Sequence, residues 1–186
     1  ESWPNWPGKW LNVFGAPGSG KTHLSKILEK KIGKTKLIEA VNIKNSIIER
    51  LNEIDCLIID NYQNNIDEKL LYSILNQSKQ LDNYIVLIST PSINELNFNL
   101  NDLQSRINSF IYIGIDLPTD DLLQVIISKS FSDKQIKVNP KLSEFIVKNV
   151  ERSYEKMFKF LKDIDDLSLS TGKSININLI KKVLNQ

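Results

Sequence analysis

Cysteine is nearly absent from this 186-residue sequence: Cys56 stands alone inside an apolar run, which excludes an internal disulfide and suits a reducing compartment. No apolar run approaches the roughly 18 residues that a membrane-spanning helix needs, and no secretory pattern precedes the first apolar segment. A membrane partner is therefore not expected, and a cytoplasmic location is. Charge of one sign is missing too. Lys and Arg number 24 against 22 Asp and Glu, with the signs interleaved and a formal net charge of +2, so no basic stripe marks a nucleic-acid surface and any DNA contact is expected to be indirect. There is no internal repeat and no long low-complexity run. The chain begins at Glu1 rather than Met, so a function carried by an upstream tail would be invisible in it.

What is present is an ordinary balance, 41% hydrophobic and 25% charged, for one globular unit or a core with a small appended subdomain. Short apolar runs read as strands at 10–15 (WLNVFG), 36–40 (KLIEA), 56–60 (CLIID), 84–90 (YIVLIST) and 109–115 (SFIYIGI). Between them, Leu24, Ile27, Leu28 and Ile32 recur at helical spacing until Gly33, and helices are expected over 43–51 and 67–81. Strands that alternate with helices and are apolar on both faces predict an α/β core with a five-stranded parallel sheet. The polar stretch 94–102 reads as a loop. After Pro118 the strand signal ends and four helical patterns follow, one opened by Asn139 as cap and Pro140 at the first helical position. The expected organisation is a nucleotide-binding α/β core over 1–116 and a small all-helical lid over 117–186.

The first strand runs into Gly15-Ala16-Pro17-Gly18-Ser19-Gly20-Lys21-Thr22, which fits G-x-x-x-x-G-K-[ST] between a strand and a helix, the context that makes the pattern credible. Glycines let successive backbone N–H groups turn toward one point, and the following helix adds its positive end, so a di- or triphosphate finds donors there. Lys21 supplies a charge for the outer phosphates, and the Thr22 hydroxyl can ligate Mg²⁺. His23 follows the loop and reads as a packed or half-exposed imidazole beside the nucleotide rather than as a catalyst.

CLIID ends on Asp60 at the carboxyl edge of the sheet, where open α/β folds bind ligands, and a carboxylate there can hold Mg²⁺ through water. An Asp after a strand is also a common helix cap or turn former. Cys56 reads as core on the same strand. The next residue is Asn61, where a second acid could act as general base. A neutral amide can orient water but cannot take its proton, so hydrolysis by the chain itself is expected to be slow, general-base help being worth about 10²–10⁴-fold. Asp67 and Glu68 are too far along the chain to replace it.

These motifs resemble the DnaA branch of the AAA+ ATPases along nearly the whole chain. GSGKTHL (18–24) is similar to the first nucleotide signature of DnaA and its relatives. LIIDN (57–61) resembles the second, in the Asp-Asn form of the DnaA-inactivating Hda-type proteins rather than the Asp-Asp form of DnaA. WPNWPG (3–8) resembles the entry to the core in alphaproteobacterial Hda-type proteins, DLQSRI (102–107) the arginine-finger segment, and 151–169 the lid helix that opens with the sensor-2 arginine. The resemblance implies ATP or ADP with Mg²⁺, held by Gly15, Pro17, Gly18, Ser19, Gly20, Lys21, Thr22, His23 and Arg152, with Thr22 and Asp60 on the metal. Arg106 is implied as a finger offered to a neighbour's nucleotide; alternatively it pairs with Asp102 on the surface. Thr90 falls at the sensor-1 position, departing from the usual Asn or Asp.

An Hda-type regulator of replication initiation is the function so implied, one that promotes ATP hydrolysis on DnaA in trans and negatively regulates initiation. Its implied partners are DnaA and the DNA sliding clamp, the latter through an upstream peptide, and a homodimer is among the expected assemblies. A DNA-binding domain like that of full-length DnaA is not expected after the lid. Two rivals remain: a helicase loader or initiator-type core that binds single-stranded DNA, and a P-loop kinase with a helical lid, for which no acceptor pocket or base stands out.

Overall fold

The computed structural model describes residues 8–134, 136 and 139–184, so the WPNWPG segment lies outside the described residues except for Gly8. The described residues fall into two compact units divided between Asp116 and Leu117.

In the first unit five parallel strands form one sheet in the order β2-β3-β4-β1-β5: β1 Trp10–Phe14, β2 Thr35–Glu39, β3 Cys56–Tyr62, β4 Tyr84–Ser89 and β5 Ile111–Gly114. Its helices are α1 Lys21–Lys31, α2 Ser46–Arg50, α3 Glu68–Gln80 and α4 Asn101–Ile107. Successive strand residues point to opposite faces, and the core divides accordingly. Leu57, Ile59, Ile85 and Leu87 pack with Leu71, Ile74 and Leu75 of α3 and Leu103 and Ile107 of α4. Cys56, Ile58, Val86, Ile88, Leu11 and Val13 pack with Ile32, Leu24 and Leu28 on the other side. Central strands covered on both faces have no polar face to show, which is why they read as unbroken apolar runs.

Several boundaries differ from the sequence reading. The helix expected over 43–51 is only α2, flanked by 3₁₀ turns at Ala40–Asn42 and Leu51–Glu53. The polar stretch 94–102 is not all loop: a 3₁₀ turn spans Ile93–Glu95 and α4 starts at Asn101. β5 begins at Ile111, and Phe110, expected in the strand, packs its ring 5.5 Å from that of Trp10. α3 ends sooner than expected, leaving Leu81 exposed.

The second unit holds α5 Asp120–Asp133, α6 Pro140–Asn149, α7 Tyr154–Thr171 and α8 Ile177–Leu184 around Leu123, Ile127, Phe131, Ile146, Met157, Phe160, Leu161, Ile164, Leu179 and Ile180. Asn139 caps α6 by accepting from the Lys141 N–H, with Pro140 in the first turn, because proline's missing donor costs nothing there. No helix among the described residues is long and apolar enough to cross a membrane.

Candidate nucleotide site

The parallel register assembles the site. Phe14 of β1 is level with Ser89 of β4 and Gly114 of β5, so Gly15, Thr90 and Ile115 leave the sheet side by side. Gly15 is required by this crowding: a Cβ on it would lie 2.2 Å from the Ile115 carbonyl oxygen, a contact no side chain tolerates. The loop turns through Pro17 and Gly18, with the Ser19 N–H donating to the Ala16 carbonyl at 3.2 Å. Gly20 then serves as N-cap of α1 at φ 94, in the left-handed region that glycine enters without strain.

No side chain caps the α1 N-terminus and no acid lies in its first turn. The orphan N–H groups and the positive end of the helix dipole thus remain available to an anion. The Ser19 hydroxyl is buried within the loop without a hydrogen-bond partner, one of two such hydroxyls among the described residues. A buried donor left unmade is costly, and a bound phosphate is one way to satisfy it.

Lys21 folds back over this loop. Its Nζ donates to the carbonyl oxygens of Gly15, at 2.6 Å, and Ala16, at 2.9 Å. Burial lowers its pKa from the ordinary lysine value, and the negative charge of Asp60 acts in the opposite direction. Thr90 Oγ1 donates to the same Gly15 carbonyl at 2.7 Å. Thr22 and His23 are both exposed on the first turn of α1, so His23 is more open than its expected packed or half-exposed state.

Asp60 is 7% exposed. Its Oδ1 accepts from the Asn61 N–H at 2.8 Å, and the Ser25 hydroxyl lies 3.5 Å from Oδ2 while donating to the Thr22 carbonyl at 2.8 Å. Ser25 therefore links the carboxylate to the first turn of α1. β3 does not stop at Asp60 but continues to Tyr62 through an irregular register. That irregularity centres on Asn61, exposed at φ 56, whose side-chain oxygen accepts from Gln63 Nε2. Asparagine is among the few non-glycine residues that occupy this region readily, which gives the amide a conformational reason to be here besides any chemical one.

Asp67 and Glu68 do not replace the missing acid. Asp67 caps α3 by accepting from the Lys69 and Leu70 N–H groups, and Glu68 accepts from Asn99 and Leu100. Arg106 donates from Nη2 to Asn76 Oδ1 at 2.8 Å, and none of the described ion pairs joins it to Asp102. In the lid, α7 starts at Tyr154 with Ser153 as its cap, so Arg152 sits just outside the helix. Its guanidinium pairs with Asp120 in the first turn of α5, both side chains more than half exposed. That gives Arg152 a structural partner which the sequence reading did not foresee.

Asn12 was missed altogether. Buried in the middle of β1, it donates to the Leu87 carbonyl and Ser89 Oγ and accepts from the Ser92 hydroxyl and the Ile93 N–H, filling the full capacity of an amide. It braces the end of β4 that leads to Thr90. A polar residue inside an otherwise apolar strand was the available signal.

The Hda lid domain model matches residues 120–184, nearly the entire second unit. Along almost the full chain, an uncharacterized protein of Haemophilus influenzae is 23% identical over 185 residues, covering 93% of this chain and 80% of its own length. The chromosomal replication initiator DnaA of Buchnera aphidicola subsp. Cinara cedri is 26% identical over 199 residues, covering 95% of this chain. Domain III of Thermotoga maritima DnaA superposes with a TM-score of 0.78 at 18% identity, over 96% of this chain and 84% of that one.

The second unit matches the Hda lid domain, and the chain as a whole is similar in sequence to DnaA and has the fold of DnaA domain III. It spans only 45% of the Buchnera DnaA, so it corresponds to less than half of that initiator. The DnaA-like fold also matches, with a TM-score of 0.69 at 17% identity, a DnaA bound to AMPPCP and single-stranded DNA, over 84% of this chain and 55% of that one.

Proposed function

We propose that this DnaA-related protein is a nucleotide-bound regulator of replication initiation that docks on ATP-loaded DnaA and promotes hydrolysis of the ATP held by that partner. The observation that carries the reading is the Hda lid match on a chain whose phosphate loop is open to an anion. In its own pocket, the backbone of residues 15–20 and Lys21 would hold the phosphates of ATP or ADP. Thr22 and Asp60 would hold Mg²⁺, one hydroxyl and one carboxylate being the sparse donor set that this ion accepts when phosphate and water complete its shell. The ion would neutralise charge on the outer phosphates. Arg152 would be the arginine that the lid contributes to nucleotide binding.

Arg106 would act in trans. Its fixed charge can stabilise the transferring phosphoryl oxygens in a neighbour's pocket, an effect of about 10³–10⁵ in rate for such arginines. In this reading Asn61 is tolerable, because the hydrolysis that matters happens elsewhere, and the sliding clamp on DNA is the expected co-factor of the encounter. A second copy of the chain is the other surface that Arg106 could serve.

The test is ADP production by ATP-loaded DnaA mixed with clamp, DNA and the chain. Wild type should accelerate it and Arg106→Ala should not. Equal ADP from wild type, Arg106→Ala and DnaA alone would overturn the proposal. DNA-stimulated turnover by the chain alone would favour the loader or initiator-type core.

A further inference from the structure

Arg106 lies in the last turn of α4, and its position depends on α3. Glu68, the first residue of α3, accepts from the Asn99 N–H at 3.0 Å and the Leu100 N–H at 2.8 Å, which fixes the backbone where α4 begins. Two turns further along α3, Asn76 Oδ1 receives Arg106 Nη2 at 2.8 Å, and Leu103 and Ile107 seal the contact beside Leu71, Ile74 and Leu75. The short α4 is thus held to α3 at both ends. It lacks a side-chain cap of its own.

The chemistry of the acceptor matters. A carboxylate at position 76 would grip the guanidinium with two parallel bonds and cancel its charge. The Asn76 amide offers a single neutral oxygen. It restrains a long side chain that would otherwise sample many rotamers, while the full positive charge survives, and no other acceptor for Arg106 is found among the described residues.

We infer that Asn76 is a positioning residue that pre-orients the Arg106 guanidinium for a partner's phosphate without neutralising it. The inference rests on the reading of Arg106 as a trans-acting finger. Pre-orientation lowers the ordering cost at the moment of engagement, so its loss should reduce the rate at saturation rather than docking.

Asn76 is only half-buried, so Asn76→Ala, Asn76→Gln and the isosteric Asn76→Asp should all fold, as melting within a few degrees of wild type would verify. Arg50, Arg106 and Arg152 are the only arginines, so the side-chain N–H spectrum is simple enough to follow Arg106 by itself. In Asn76→Ala the Arg106 signal should lose order, and the maximal rate of DnaA-bound ATP hydrolysis should fall at least about tenfold, the scale of one hydrogen bond to a charged group, at an unchanged half-saturating concentration. Asn76→Gln should recover part of that rate. Asn76→Asp should keep Arg106 ordered yet fall as far, with partial relief by added salt. An ordered Arg106 and a wild-type maximal rate in Asn76→Ala, alongside an inactive Arg106→Ala, would overturn the positioning role and leave the finger intact. A fully active Arg106→Ala would remove the finger and this inference together.

Discussion

The Thr90 hydroxyl reaches across 75 residues of sequence to the carbonyl oxygen of Gly15, 2.7 Å away, and so ties the end of β4 to the first residue of the phosphate loop. The same oxygen also receives Lys21 Nζ. When Lys21 turns to a phosphate, Thr90 is the partner that keeps Gly15 in place. Thr90→Val preserves shape and removes the donor. Nucleotide affinity measured by calorimetry should weaken by about three- to tenfold, the range of a single net hydrogen bond, and Thr90→Ser should restore it. Equal affinity in all three proteins would show that the contact is incidental.

Asn12 holds that assembly from beneath. Asn12→Ala would leave buried groups on Ser89, Ser92 and Ile93 without their partner, at a cost of about 2–4 kcal/mol. Urea denaturation should register the loss as a lower midpoint at similar slope. A change under about 0.5 kcal/mol, the size of an ordinary surface effect, would contradict the role assigned to this amide.

At position 61 geometry and chemistry can be separated by substitution. Asn61→Asp keeps a side chain that tolerates the left-handed backbone and introduces the acid missing beside Asp60. Steady-state ATP hydrolysis by the chain alone should start slow and rise by about tenfold or more in the variant, the low end of general-base assistance having about 10²-fold to offer. No rise would mean that something other than the missing base limits turnover.

The strand pattern and the helical lid were legible because each rests on local periodicity, and the glycine-rich turn after β1 because its residues are contiguous. Gly15 through Thr22 are neighbours in sequence, so the motif could be read without the distant contacts from Thr90 and Ile115 that hold Gly15. What escaped was held by pairs far apart in the chain: Asn12 with Ser92, Glu68 with Leu100, Arg106 with Asn76, Arg152 with Asp120. Such pairs leave no periodic trace, since a polar residue reads alike whether it faces water or one distant partner. The boundary errors have a similar origin. β3 extends past Asp60 only because Tyr62 is completely buried in the sheet core, and α4 begins inside a polar stretch because Glu68 secures its entry.

The lone thiol provides a probe of the same sheet. Burial pushes the Cys56 thiol up to about 12, and the side chain has no exposure to solvent. Since the thiolate is the reactive form, iodoacetamide at pH 8 should leave the native protein unlabelled, and labelling should track unfolding in a denaturant series. Rapid labelling of the native fold would show that β3 opens locally.

The most direct test of the account is nucleotide binding at the loop itself. Titrating purified protein with ATP and with ADP in the presence of Mg²⁺, wild type should bind at one site, Lys21→Ala should lose that binding while still folded, and Asp60→Asn should retain nucleotide but lose its dependence on Mg²⁺. Unchanged affinity in Lys21→Ala would contradict the assignment of residues 15–22 as the phosphate site, and with it the regulatory reading built on that pocket.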